Sequence, residues 1–272
     1  MFDGLIAKGF QVEFHSHSAA ILGVDFPEAA EELEEVLHSA TIPVEEIIAG
    51  GGGEAKGTQR LRKGLAKKGW SSETFTVVKT INNVPREAIS HKMDHVRKFA
   101  GDAGQEYVIA LEIEWNNKDP FFDRDLENFK RLHADGAISV GIVITRGRSL
   151  HANMRDIVRR FCNQRQVQNF EDLKKWGYDP TAKQRSAIAK RIERKKNPLS
   201  FTEAFVDKFV SDKFGEATTH WRKLEDRVHR GVGNPCPLVL IGLPESIVTY
   251  GEDPTEVRAL IKESEAGEES VE

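Results

Sequence analysis

Four apolar residues, Val108-Ile109-Ala110-Leu111, run without a break into Glu112-Ile113-Glu114. A continuous apolar run of this length reads as a strand covered on both faces, which places it inside a sheet with helices against it. Residues i and i+2 of a strand share a face, so Glu112 and Glu114 stand side by side where the strand leaves the core. Two carboxylates there are costly to desolvate unless a cation sits with them. A divalent ion is the natural partner, because hard cations prefer carboxylate oxygen. Asp94 lies far enough upstream to come from a neighbouring strand or turn and complete the cage. A solvated strand edge carries the same E-x-E pattern, so the flanks decide.

The flanks give a strand–helix–strand unit. Asn116-Asn117-Lys118-Asp119-Pro120 has turn chemistry. Residues 122–134 put Phe122, Leu126, Phe129 and Leu132 on one helix face, and Gly136 ends that helix. Residues 137–145 form a second apolar strand, followed by a basic loop carrying Arg146 and Arg148. In open α/β sheets such loops face ligands. The fold class that follows is α/β, a mixed β-sheet flanked by helices.

Upstream, residues 11–14 alternate as a short strand, with His15 and His17 at strand spacing after it. Two His so placed can ligate a metal, but no third ligand is in view, and a structural role is the simpler reading. Asp25 stands as an N-cap before Pro27, with the helix running to about His38 and Glu31, Glu32, Glu34 and Glu35 on its wet side. The Gly-rich stretch 49–54 leads into a helix at 55–68 whose Arg60, Arg62, Lys63, Lys67 and Lys68 give it a basic face suited to phosphate. It is not a P-loop, because the order Lys56-Gly57-Thr58 breaks the required pattern. Residues 74–80 are a β-branched strand, 82–85 a turn, and 238–242 a buried return strand.

Only two cysteines are present, so neither a disulfide framework nor a cysteine zinc site is indicated. No apolar run approaches the ~20 residues of a membrane span, and residues 1–10 lack the apolar centre of a signal peptide. A cytoplasmic protein is expected, with no membrane partner. The net charge of −4 hides an asymmetry: residues 155–230 hold 19 Lys and Arg against 11 Asp and Glu, a net of +8, which leaves −12 elsewhere. A basic segment on an acidic body is expected where one face meets phosphate, although solvated helices give the same count. The expected organisation is a core over 1–150, a basic and mostly helical insertion over 151–230 serving DNA binding or dimerisation, a return strand within 231–252 and an acidic tail over 253–272. Trp176, Tyr178 and Trp221 in the insertion are read as core rather than as base-stacking residues.

Asp94, an interval, then Glu112-x-Glu114 resembles the PD-(D/E)-x-K nuclease core. The variant is that of type II restriction endonucleases of the BglII/BstYI/BamHI group, in which Glu or Gln replaces the usual lysine. FHSHS near the start, GTQRLRKGLAKKGW before the core and PCPLVLIGLP near the end strengthen the likeness, which covers about residues 10–150 and 232–245. The interval after Asp94 is long, so Asp102 is a rival for the first carboxylate. The resemblance implies Mg²⁺-dependent hydrolysis of phosphodiester bonds in double-stranded DNA, at a short palindromic site that a GATC centre would suit. It also implies a homodimer and a cognate methyltransferase in the same host. Asp94 and Glu112, with the Ile113 carbonyl, would hold the metal. Glu114 would orient or deprotonate the attacking water, and Glu54 would be a helper carboxylate. Asn117, ahead of Asn116, falls where the resembled enzymes place a base-contacting Asn. Lys118 and Arg124 suit phosphates. Two other readings stay open: a DNA-binding or repair-associated relative that lost cleavage, and a nicking or structure-specific nuclease.

Overall fold

The computed structural model describes residues 1–49, 55–101 and 104–251. In chain order the elements are α1 (Asp3–Ala7), β1 (Gln11–His15), α2 (Ser18–Val24), α3 (Pro27–His38), β2 (Ile42–Pro43), α4 (Val44–Ile48) and α5 (Lys56–Lys67). Then come β3 (Ser71–Ile81), β4 (Val84–Ala100), β5 (Glu106–Glu114), α6 (Phe121–Ala134), β6 (Val140–Arg146), α7 (Arg148–Ala152) and α8 (Met154–Gln164). The last are α9 (Phe170–Lys175), α10 (Ala182–Ile192), α11 (Phe201–Lys213), α12 (Trp221–His229), β7 (Leu238–Leu243) and β8 (Val248–Thr249).

The chain forms two compact units. The first comprises Met1–Ala40, Thr58–Ala152 and Phe214–Glu245, and the second comprises Thr41–Gly57, Asn153–Lys213 and the described residues from Ser246 on. The linear division expected from sequence is thus redrawn. Residues 41–49 and 55–57 join the helical unit, and α12 joins the sheet. The tail 253–272 lies outside the described residues.

The first unit is built on a six-stranded mixed sheet in the order β1-β7-β6-β5-β4-β3. The pairs β5/β6 and β6/β7 are parallel, and β1/β7, β4/β5 and β3/β4 are antiparallel. This is the expected α/β architecture, with the two uninterrupted apolar strands at its centre. α6 covers one face. Its Phe122, Leu126, Phe129 and Leu132 are fully buried against Val96, Val108, Ala110, Val143 and Leu240, together with Trp221, Leu224 and Val228 of α12. α3 lies over the other face, to which Arg97 points. The Arg97 guanidinium donates to Glu32 at 2.9–3.2 Å and to Glu28 at 2.9 Å.

Glu32 is therefore not on the wet side of its helix. It is buried, and it also accepts from Trp70 Nε1 at 2.8 Å. Asp25 is not an N-cap either. It is the last-turn cap of α2, and Phe26 holds the N-cap position of α3 without a side-chain bond.

The second unit packs α8 against α4 and α11, and α10 against α11. Tyr178 sits among Phe205 and Phe209, and Trp176 meets Phe161 edge-on, so both are structural aromatics. A buried ion pair joins Arg165 to Glu45 at 2.8 Å.

Candidate active site

The acidic residues are placed by strand parity. His95 pairs with Leu111 across β4/β5, and one step further the Asp94 amide donates to Glu112 Oε1 at 3.2 Å. Asp94, Glu112 and Glu114 consequently share the face that α6 covers. Glu112 and Glu114 are each 3% exposed, whereas Asp94 is open to solvent. The expected first carboxylate thus stands beside the pair, from a neighbouring strand. Its rival Asp102 and the proposed helper Glu54 lie outside the described residues.

α6 adds a carboxylate that the sequence reading did not name. Asp125 is 1% exposed, on the helix face that meets this end of β5. Its Oδ2 is buried without a hydrogen-bond partner, while Oδ1 accepts from Arg124 Nε at 2.8 Å. A signal for it did exist. Asp125 sits three residues after Phe122 and four before Phe129, inside the apolar stripe of α6, where a charge needs a reason.

Crowding acids in a dry site raises their proton affinity. Desolvation, then the charges of Asp125 and Asp94, push Glu112 up to about 10. Desolvation and Asp125 push Glu114 up to about 8, against a hydrogen bond from Asn117. Burial also raises Asp125, opposed by Arg124. Glu114 is the better proton holder of this last pair. Arg124 offsets the charge of Asp125, with Arg124 Nη2 also 3.7 Å from Glu114 Oε1.

The basic and amide residues fall into separate groups. Asn117 Nδ2 donates to Glu114 Oε2 at 2.8 Å, so its amide is aimed at the acid cluster. Its carbonyl accepts from Thr219 N at 2.8 Å, and Lys118 bridges Thr218, which ties this loop to the segment before α12. Lys118 is exposed, Asn116 half-buried, and Arg60 exposed on α5. Arg148 is exposed and ion-paired with Glu225. Ile113 is buried between the two glutamates in β5.

Arg146 does not fit the role expected of it. It is fully buried, and it donates from Nε to Trp115 O and from Nη2 to Thr218 Oγ1 and Thr219 O, each at 2.7 Å. Burial lowers its pKa to about 9. It is a strut that holds the loop after β5 against the segment before α12, with no face left for a phosphate.

The donor set of the cluster is entirely hard oxygen, with one buried oxygen unpartnered, and this suits a hard divalent cation. The four carboxylates are spread more widely than a closed ligand shell. Among the described residues, the groups whose three ligand atoms all fall within 4.8 Å are Glu13/His15/His229 and His151/Glu216/His220. Among the described residues no helix is long and apolar enough to cross a membrane.

A search of curated proteins found no match. The family model for restriction endonuclease BglII/BglIII matches residues 10–243.

Proposed function

The chain belongs to the BglII/BglIII restriction endonuclease family, hence to the site-specific type II deoxyribonucleases acting on double-stranded DNA, and from this premise we propose a Mg²⁺-dependent enzyme that cuts a short palindrome as a homodimer. The observation that carries the reading is the convergence of Asp94, Glu112, Glu114 and Asp125 at one end of β5, three of them buried. Buried carboxylates held away from their ordinary pKa cluster at working sites.

In this proposal Asp94 and Glu112, with the Ile113 carbonyl, would hold Mg²⁺. When bound, the ion would polarise the scissile phosphate and make its water more acidic. Glu114 would orient or deprotonate the attacking water, and burial together with the charge of Asp125 beside it raises its proton affinity. Asn117 fixes the orientation of Glu114, and Arg124 keeps the Glu114/Asp125 pair from carrying an uncompensated charge. Lys118 and Arg60, both exposed, would meet phosphates, and Asn116 would face the groove. A two-fold protein suits a two-fold site. The ribbon of β3 and β4 extends past the last β5 pair to Ile81↔Val84, with Val78, Ile81 and Val84 about half exposed. A two-stranded ribbon is marginal alone in water, which favours a second copy against it.

Digestion of a plasmid bearing many short palindromes, with sequencing of the ends, tests the proposal. A single fixed palindrome with uniform overhangs, GATC-centred sites being the first to inspect, supports it. Scattered nicks point to a nicking or structure-specific nuclease, and binding without Mg²⁺-dependent cutting to a relative that lost cleavage. Resistance of DNA from the native host would fit a cognate methyltransferase.

A further inference from the structure

We infer that Glu13, His15 and His229 form a second cation site, at the free edge of the sheet, suited to a borderline-soft transition metal such as Zn²⁺. The sequence places His15 and His17 at strand spacing, but the chain separates them. β1 ends at His15, and His17 turns into the left-handed region, φ 63°, at the start of α2. Glu13, two residues earlier on β1, shares the face of His15 instead. The third ligand comes from the last turn of α12, far away in sequence.

The separations suit one ion. Glu13 Oε2 lies 3.2 Å from His15 Nε2 and 3.9 Å from His229 Nε2, and one ligand atom from each of the three residues lies within 4.8 Å of the other two. Ligands ~2.0–2.2 Å from a tetrahedral ion stand about 3.3–3.6 Å apart, so His229, exposed in the last turn of its helix, has to draw in toward the other two to close the set. The two imidazoles are tilted by 58° with centroids 6.0 Å apart, so both can aim a ring nitrogen at one point. On binding, the His15 proton now on the Glu13 side moves to Nδ1 and frees Nε2. Two imidazoles and one carboxylate leave the fourth position to water, the composition of an open zinc site. Donors of this kind favour zinc over magnesium, whereas the all-oxygen cluster on β5 favours the reverse.

The other candidate group fails on geometry. The rings of His151 and His220 stack at 3.8 Å and 7°, so their in-plane lone pairs run parallel and cannot converge. His151 Nδ1 also faces Arg146 Nη1 at 3.3 Å, which keeps its proton on Nε2.

The test uses untagged, metal-stripped, full-length protein in excess Mg²⁺. Zn²⁺ titration followed by calorimetry should give one ion per chain and a higher unfolding temperature, and Co²⁺ should give a tetrahedral visible spectrum. His229→Gln, at an exposed position, and His15→Gln should each weaken Zn²⁺ binding at least about tenfold, the loss of ~1.4 kcal/mol or more. The double substitution His151→Gln/His220→Gln should leave it intact. Zn²⁺ affinity unchanged in His229→Gln, an octahedral Co²⁺ spectrum in wild type, or loss of binding in the His151/His220 variant alone would each overturn the assignment. Should His15→Gln misfold, His229→Gln decides.

Discussion

Glu112 is a carboxylic acid that water barely reaches, and its proton affinity has a consequence for stability. A group whose folded pKa stands near 10 against an ordinary 4.5 is bound more tightly to its proton in the folded chain. Its contribution to stability is therefore full below pH ~4.5 and is lost as pH rises through about 10. Without divalent metal, Glu112→Gln should melt above wild type at pH 8–9, with the gap widening as pH rises and closing near pH 4. Thermal melts across pH check this, and a wild type more stable than the variant at pH 9 contradicts it. Arg146 makes the opposite case. Arg146→Ala strips the partners from two carbonyls and should cost about 3 kcal/mol or more in urea unfolding. Arg146→Lys should not rescue it, since an ammonium lacks the forked geometry. An ordinary phosphate contact would weaken DNA binding and leave stability alone. Arg146 looked like a loop cation in the sequence because the carbonyls that bury it come from residues 115 and 219, beyond any local pattern. Asp125 was legible in principle, as a charge inside an apolar helical stripe.

Elements with one consistently buried face were legible. β5, β6, β7 and α6 follow their apolar patterns closely, because the same packing that holds them writes the pattern. β4 was not. Its first residues belong to a ribbon wet on both sides, so Val84–Ala100 shows no alternation until it reaches the sheet, and it passed for a turn and a lead-in. α2 and α3 abut at Asp25, where a helix end and a helix start share the same polar residue type. The contact between α6 and the sheet is close enough to test. A Cβ at Gly141 would lie 2.6 Å from Phe129 Cδ2 and 3.1 Å from Leu238 Cδ2. Gly141→Ala should cost about 1–3 kcal/mol through overpacking, and Phe129→Leu added to it should recover part of that. An unchanged urea midpoint for the single substitution would mean that α6 does not seat on β6 at this residue.

At the scale of the molecule, charge counting says less than pairing. Several arginines of the basic stretch are matched within the helical unit: Arg155 and Arg191 to Asp207 at 2.8 and 2.9 Å, and Arg159 to Glu203 at 2.7 Å. A net of +8 there does not by itself make a phosphate-binding face. In the proposed reading the activity is specified locally: a parallel strand pair inside a mixed sheet carries acids to one end, and a helix brings a further acid to meet them. The direct test is Glu112→Ala, compared with wild type for single-turnover cleavage in Mg²⁺ and for binding in Ca²⁺, on the DNA site that the plasmid digest identifies. The account predicts cleavage slower by about 10³-fold or more, a loss of several kcal/mol of transition-state stabilisation, with DNA binding retained. Cleavage at the wild-type rate would contradict it.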